Sequence, residues 1–307
     1  ATKEHRIPRR LHGYLVIDND YSAFEFPRTT PIDDLEVTLA HEYNHILQFG
    51  YDAYQDPWFA ESTATWMEDQ VYNGINDYFR YVRRWVHRYD TPLTTSSIKE
   101  YGSAIWNQWL QNRYGALLIR KAWAGAIHGR PAGFSVAAYD DAIRAAGYSD
   151  FDHDFARFAT AVPEWRTGEA FRESGLYPDM PRQGQLGLGR PPLTRLLNHT
   201  TFTLLRVHAP GGKAVAVHVT APQGTATGLA LVGRIGSERG GHTVSRLSFS
   251  RGGGKLTVRL PEPGRFSRVT AVVVNADSSA SGFSARRLDW LYLTDQVPFE
   301  IRGNLVR

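Results

Sequence analysis

The sequence predicts an α+β protein in two parts, a mainly helical domain over residues 1–190 and an antiparallel β-sandwich over 193–307. Three observations carry this. Apolar residues recur at helical spacing in the first part and at alternating, strand-like spacing in the second. Tryptophan is frequent up to Trp165 and then occurs only at Trp290. Between the parts, Pro181 to Pro192 is rich in Pro and Gly, the composition of a linker. At 307 residues the chain is long enough for two domains.

Residues 11–18 alternate and read as a strand. Asp33 and Asp34 open a helix that runs to about Phe49 and stops at Gly50, a residue suited to the position after a helix. Pro57 opens a second helix over 58–72. Asp77 can cap a third, in which Tyr78, Tyr81, Val82, Trp85, Val86 and Tyr89 form an apolar stripe. Further helices fit 98–114, 116–127, 134–146 and 150–161. Candidate strands are 202–207, 214–220, 228–234, 243–249, 255–260, 268–275 and 288–294, separated by Pro/Gly turns. Short strands at this spacing suggest a sandwich.

Several classes are excluded early. There is no cysteine, so disulfides, thiolate metal sites and cysteine nucleophiles are absent. Lys and Arg number 35 against 31 Asp and Glu, and no basic block resembles a nucleic-acid tail. No run approaches the ~18 apolar residues of a membrane span. The chain begins at Ala1 with no visible signal peptide, which reads as a processed, trimmed or partial chain. Gly252-Gly253-Gly254-Lys255 lacks the rest of a phosphate-binding loop and reads as a hairpin turn. No Gly-x-Ser-x-Gly elbow occurs. Asn198-His199-Thr200 is a glycosylation sequon of low information.

The informative stretch is His41-Glu42-Tyr43-Asn44-His45, an H-E-x-x-H pattern inside the first helix. Residues four apart share a helix face, so both imidazoles can reach one metal ion. Glu42 is rotated away by one residue, where it suits a general base acting on metal-bound water. The plain alternative is a helix that carries two histidines by chance, but a buried pair without a metal needs other partners. A longer motif with Gly at 48 and His at 51 is absent, since those positions hold Gln48 and Tyr51.

A third ligand must then come from the second helix. The first helix continues about four residues past His45, or ~6 Å, a short loop reverses the chain, and Glu61 lies about as far along the second helix. Glu61 therefore returns to the level of His45. Glu68 overshoots as a ligand, and Asp52 and Asp56 fall in the loop. An acid favoured by the helix dipole is the alternative for Glu61.

With these residues in place, a resemblance emerges. H-E-x-x-H followed by Pro57-Trp58-Phe59-Ala60-Glu61 resembles the gluzincin metallopeptidases, the thermolysin-like clan. Residues 41–114 are also similar to a bacterial metalloprotease group in which a β-rich domain follows the catalytic core. The resemblance implies a zincin-like fold for 1–190, with zinc held by His41, His45 and Glu61 and with Glu42 as base. It implies a transition-state donor on a later helix, where Tyr101 matches, with His87 and His128 behind it. Tyr101 fits a core stripe with Ile105 and Trp109 equally well. Ser62 replaces the usual Gly, and Thr65 stands where such enzymes often carry an Asp behind the first His, so the group that orients His41 is unassigned. A gluzincin sheet needs more strands than precede the first helix here, which implies a further N-terminal segment, and residues 11–18 would be its edge strand.

The expectation is a Zn2+-dependent peptidase acting on a protein or peptide substrate, secreted or at a bacterial cell surface. Tyr51, Tyr54, Trp58, Phe59, Trp66 and Tyr72 are either cleft-lining or core aromatics. Two other readings compete. One is a β-sandwich binding or adhesion protein with a relic catalytic part, against which the intact Glu42 argues. The other is a zinc hydrolase acting on a non-peptide bond. Oligomeric state and cleavage preference have no signal in the sequence.

Overall fold

The structure is a computed structural model and describes residues 10–21, 29–127, 134–147, 149–208, 213–237, 241–279 and 294–306. It is α+β with two largely antiparallel sheets. The helical part consists of α1 (Pro31–Asp52), α2 (Pro57–Val71), α3 (Phe79–Trp85), α4 (Lys99–Gly102), α5 (Ala104–Tyr114), α6 (Leu117–Gly125), α7 (Ser135–Ala146) and α8 (Phe151–Ala161). The strands are β1 (Gln185–Leu186), β2 (Leu193–Leu197), β3 (Thr201–Val207), β4 (Ala214–Ala221), β5 (Thr227–Ile235), β6 (His242–Ser250), β7 (Gly254–Leu260), β8 (Arg268–Asn275) and β9 (Val297–Val306). One sheet has the order β1-β3-β8-β5-β6, the other β2-β9-β4-β7. Among the described residues, no helix is long and apolar enough to cross a membrane.

Four expectations change. Residues 11–18 form no strand; they run along α1, where Leu11 N–H donates to the Phe49 carbonyl at 3.0 Å. α1 runs through Gly50 to Asp52, and the Asp52 carboxylate then accepts the Tyr54 N–H at 3.0 Å. Asp77 does not cap α3 but pairs with Arg80 at 3.0 Å. The Pro/Gly stretch is built into the sheets: β1 lies parallel to β3, and Leu188 bridges Gly303. The strand expected over 288–294 falls almost entirely outside the described residues. β9 went unpredicted because Pro298 and Gly303 break its strand signal, yet it lies between β2 and β4.

The two parts do not keep separate cores. The inner faces of the sandwich bury Leu205, Leu229, Leu231, Val273, Val217, Val219 and Ile301. The opposite face of the five-stranded sheet carries Phe202, Leu204, Val232, Val272 and Val274, which join the aromatic core of the helices. Tyr89 stacks on Phe202 at 4.9 Å between ring centres. β3, β5 and β8 are thus covered on both faces and read as near-continuous apolar runs, whereas β4, β7 and β9 alternate beneath one open face.

Gly228 marks the closest approach: a Cβ there would lie 2.9 Å from the Ala156 Cβ on α8 and 3.2 Å from Val274. Gly228→Val is expected to destabilise the whole chain by about 1–3 kcal/mol by forcing α8 off the sheet. Calorimetry of wild type and variant checks this. One cooperative transition that moves as a unit is expected, and two independent transitions would contradict the shared core.

Candidate metal centre

α1 begins with a capping box in which Thr30 accepts the Asp33 N–H and Asp33 accepts the Thr30 N–H, with Pro31 in the first turn. Its inward face carries Val37, Ala40, His41, Asn44 and Gln48 at helical spacing. α2 packs antiparallel-wise against this face after the short connection, so the polar residues of the two helices meet in a seam. His41, His45 and Glu61 come together there, each offering a ligand atom, all within 4.8 Å of one another. His41 Nε2 lies 3.1 Å and His45 Nε2 3.5 Å from the same oxygen, Glu61 Oε2.

The outer nitrogens of both rings are tied back. His41 Nδ1 lies 2.7 Å from Glu68 Oε1, and His45 Nδ1 lies 2.7 Å from Gln48 Oε1. The Gln48 amide is oriented by its NH2, which donates to Asn44 Oδ1 at 2.6 Å, the Ala60 carbonyl at 3.0 Å and Thr63 Oγ1 at 3.1 Å. Its oxygen is left to accept from His45 Nδ1–H. With protons on both Nδ1 atoms, both Nε2 atoms face Glu61 and can turn lone pairs to a cation. Two imidazoles and a carboxylate are a donor set that zinc takes in catalytic sites.

The surroundings favour positive charge. Burial pulls the His41 pKa down, but hydrogen bonds to Glu61 and Glu68 together outweigh it and raise the pKa to about 9. Burial would raise Glu61, yet its contacts with His41 and His45 lower it to about 2. Burial pushes Glu68 up to about 7 against the pull of His41. Asp77 stands close to Glu68, and Arg80 is the nearby guanidinium.

Glu68 and Gln48 are the residues that sequence reasoning missed. Glu68 does overshoot as a ligand, but two turns beyond Glu61 it reaches the far side of the His41 ring. Thr65 does not take that role: its hydroxyl is buried and, among the described residues, has no hydrogen-bond partner. Glu42 lies half-buried next to His41, and its carboxylate has no hydrogen-bond partner among the described residues.

Tyr101 lies on the single turn of α4, beside His41. Its ring stacks on His41 at 5.9 Å and on Tyr81 at 4.9 Å, and the Glu61 carboxylate is among the charges close to it. Burial and then the Glu61 charge raise its pKa, so the phenol stays protonated and able to donate. Gly102 permits this placement, because a Cβ there would meet Tyr81 O and Trp85 Cβ at 2.7 Å. His87 is exposed on the chain beyond α3, and His128 lies outside the described residues. Of the candidate cleft aromatics, Trp58, Phe59 and Trp66 are core.

Residues 18–168 match the profile of a family described as a family of unknown function, DUF6055. The match takes in His41, His45 and Glu61 and ends before the strands. No curated protein and no solved structure matches the chain.

Two predictions follow from this wiring. A metal must displace the proton that His41 otherwise holds up to about 9. Zinc affinity is therefore expected to rise about tenfold per pH unit over this approach and then level off. Competition titration against a chelator across the range checks it, and a flat profile would remove His41 from the ligand set. Separately, Glu68→Ala frees the His41 ring, and zinc affinity measured in the same way is expected to fall about 10–100-fold.

Proposed function

We propose that the chain is a zinc-dependent metallopeptidase of the gluzincin type. The reading rests on one observation: His41, His45 and Glu61 converge while Glu68 and Gln48 tie both imidazoles from behind. Surface histidines on a helix have no need of such anchoring, and buried ones without a metal would leave Nε2 atoms facing one carboxylate alone. Zinc held by these three residues would supply Lewis acidity toward a carbonyl and an activated water.

The chain's own groups have distinct tasks. Glu42 follows His41 on α1 and is half-buried, and its carboxylate would accept a proton and pass it to a leaving amine. Tyr101, kept protonated by burial and by the nearby Glu61 charge, would donate to the negative charge that develops on the carbonyl oxygen. Its stacking on His41 fixes the ring and limits how far the hydroxyl can swing. The choice of a peptide bond over another acyl bond comes from the resemblance of 41–61 to the gluzincins. Work outside the cytoplasm, as a secreted or surface protein, goes with the same reading.

Metal binding and chemistry separate in two variants. Glu42→Gln is expected to keep stoichiometric zinc by elemental analysis while peptide cleavage falls ~10²–10⁴-fold. Glu61→Ala is expected to lose both, because a ligand has gone. Wild-type cleavage by Glu42→Gln would refute the assigned base, and wild-type zinc retention by Glu61→Ala would refute the assigned ligand.

A further inference from the structure

α3 and the turn after it carry charge of one sign on one side. Val82, Trp85, Val86 and Tyr89 are buried, while Arg83, Arg84, His87 and Arg88 are exposed. The turn continues the helical path, with His87 N–H donating to the Arg84 carbonyl at 3.2 Å and Arg88 N–H to the Trp85 carbonyl at 2.8 Å. Positions 84 and 88 lie four apart, as do 83 and 87, so the exposed side chains form one stripe. No Asp or Glu occurs from Tyr78 to Tyr89. Among the described residues, none of the four has a carboxylate partner. Asp90, the nearest acid along the chain, accepts a hydrogen bond from Gln183 Nε2 at 3.1 Å.

A helix dipole favours cations near the C-terminus, which suits Arg83 and Arg84. It does not account for like charges four apart with no acid among them, an arrangement that destabilises a helix. A merely solvated face ordinarily mixes the two signs. The stripe also starts at the candidate metal centre. Arg80, one turn before Arg84, pairs with Asp77 at 3.0 Å and lies over the Tyr81 ring at 4.6 Å. Tyr81 stacks on Tyr101 at 4.9 Å, and Tyr101 on His41 at 5.9 Å. At the helical rise, Arg84 is ~6 Å and Arg88 ~12 Å beyond Arg80. An extended chain covers that span in about two to four residues.

We propose that this stripe binds an acidic segment of a polypeptide substrate, a run of Asp or Glu a few residues away from the bond cleaved at the metal centre. The assignment to a substrate rests on the metallopeptidase reading. Guanidinium forks match carboxylates in geometry and charge. A lipid surface is the other polyanion of this sign, and it is held by apolar side chains set among basic ones. No large exposed apolar residue lies between Tyr72 and Ser97, which favours the acidic chain.

Fluorescence anisotropy of dye-labelled octaglutamate, titrated with the full chain in the presence of a zinc chelator, reads the surface without the chemistry. Saturable binding is expected, weakening as salt is raised, with a Gly-Ser octamer unbound. Arg84→Ala with Arg88→Ala is expected to weaken it about tenfold at low ionic strength. Arg84→Lys with Arg88→Lys keeps the charge and should retain most of it. Arg246→Ala with Arg259→Ala removes the same charge from exposed positions on the strands and should bind as wild type. If the alanine pair at 84 and 88 does not unfold at the wild-type temperature, Arg84→Gln with Arg88→Gln replaces it. Cleavage then tests the assignment to substrate. With zinc, random-sequence peptides bearing a tetraglutamate tail should show a lower KM than the same peptides with a tetraserine tail, at unchanged kcat, and the alanine pair should abolish the difference. No saturable binding, wild-type affinity in the alanine pair, equal loss in the Arg246 and Arg259 pair, or binding of phosphatidylserine vesicles in place of octaglutamate would overturn the surface. Equal KM for both tails would overturn its assignment to substrate. Octaglutamate binding without cleavage of either peptide set would refute the metallopeptidase reading and leave the surface standing.

Discussion

The two hydrogen bonds from Nδ1 of His41 and His45 are what the candidate site depends on. An imidazole on a helix can rotate about two bonds, and only one nitrogen can face a shared point. Glu68 and Gln48 remove that freedom by holding the other nitrogen at 2.7 Å in each ring. The two anchors differ in kind. Glu68 is a buried carboxylate that raises the basicity of His41, whereas Gln48 is neutral and is itself held by its amide NH2, whose two protons are shared among three acceptors. One ring is therefore tuned by charge and the other by geometry alone. Removing either anchor would leave a buried polar group unsatisfied, at about 1–3 kcal/mol, in addition to freeing a ring.

This wiring explains which part of the site was readable beforehand. His41, Glu42 and His45 declare themselves because their chemistry and their helical spacing lie in one short stretch. Glu61 follows from the length of helix on either side of a turn. Glu68 and Gln48 do not, because their roles depend on how α2 rotates against α1, a packing property that no local pattern encodes. Gln48 was even read as evidence against a longer ligand motif, and that inference was sound while its real partner went unseen. Tyr101 was open between core and site. In the structure its ring stacks on His41 and on Tyr81.

The fold divides in the same way. Helices with a regular apolar stripe were legible to within a few residues, as were six of the strands. The errors share a cause. Residues 11–18 alternate as a strand does, but a strand exists only with a partner, and α1 took its place. The Pro/Gly stretch looked like a linker by composition, yet Gln185, Leu186 and Leu188 find sheet partners there. The apolar runs of β5 and β8 held the clearest missed signal. A strand exposed on one side alternates, whereas Gly228 to Val232 and Val269 to Val274 scarcely do, and this already marks a sheet covered on both faces.

That double coverage gives the strands a structural part in the site. The five-stranded sheet seats α8 through Gly228 and Ala156. Phe151, Phe155 and Phe158 of α8 then pack around Trp106 of α5. From α5, Gln108 donates to Asp69 at 2.8 Å, and Gln111 accepts the Trp66 indole N–H at 2.7 Å, both on α2. α2 carries Glu61 and Glu68, the residues that define the front and back of His41. Aromatic rings are rigid, and a close-packed interior transmits displacement rather than absorbing it. A shift of the sheet would therefore reach Glu61 and Glu68 together and move them relative to α1. The sandwich is better understood as the base against which α2 is set than as a separate appendage.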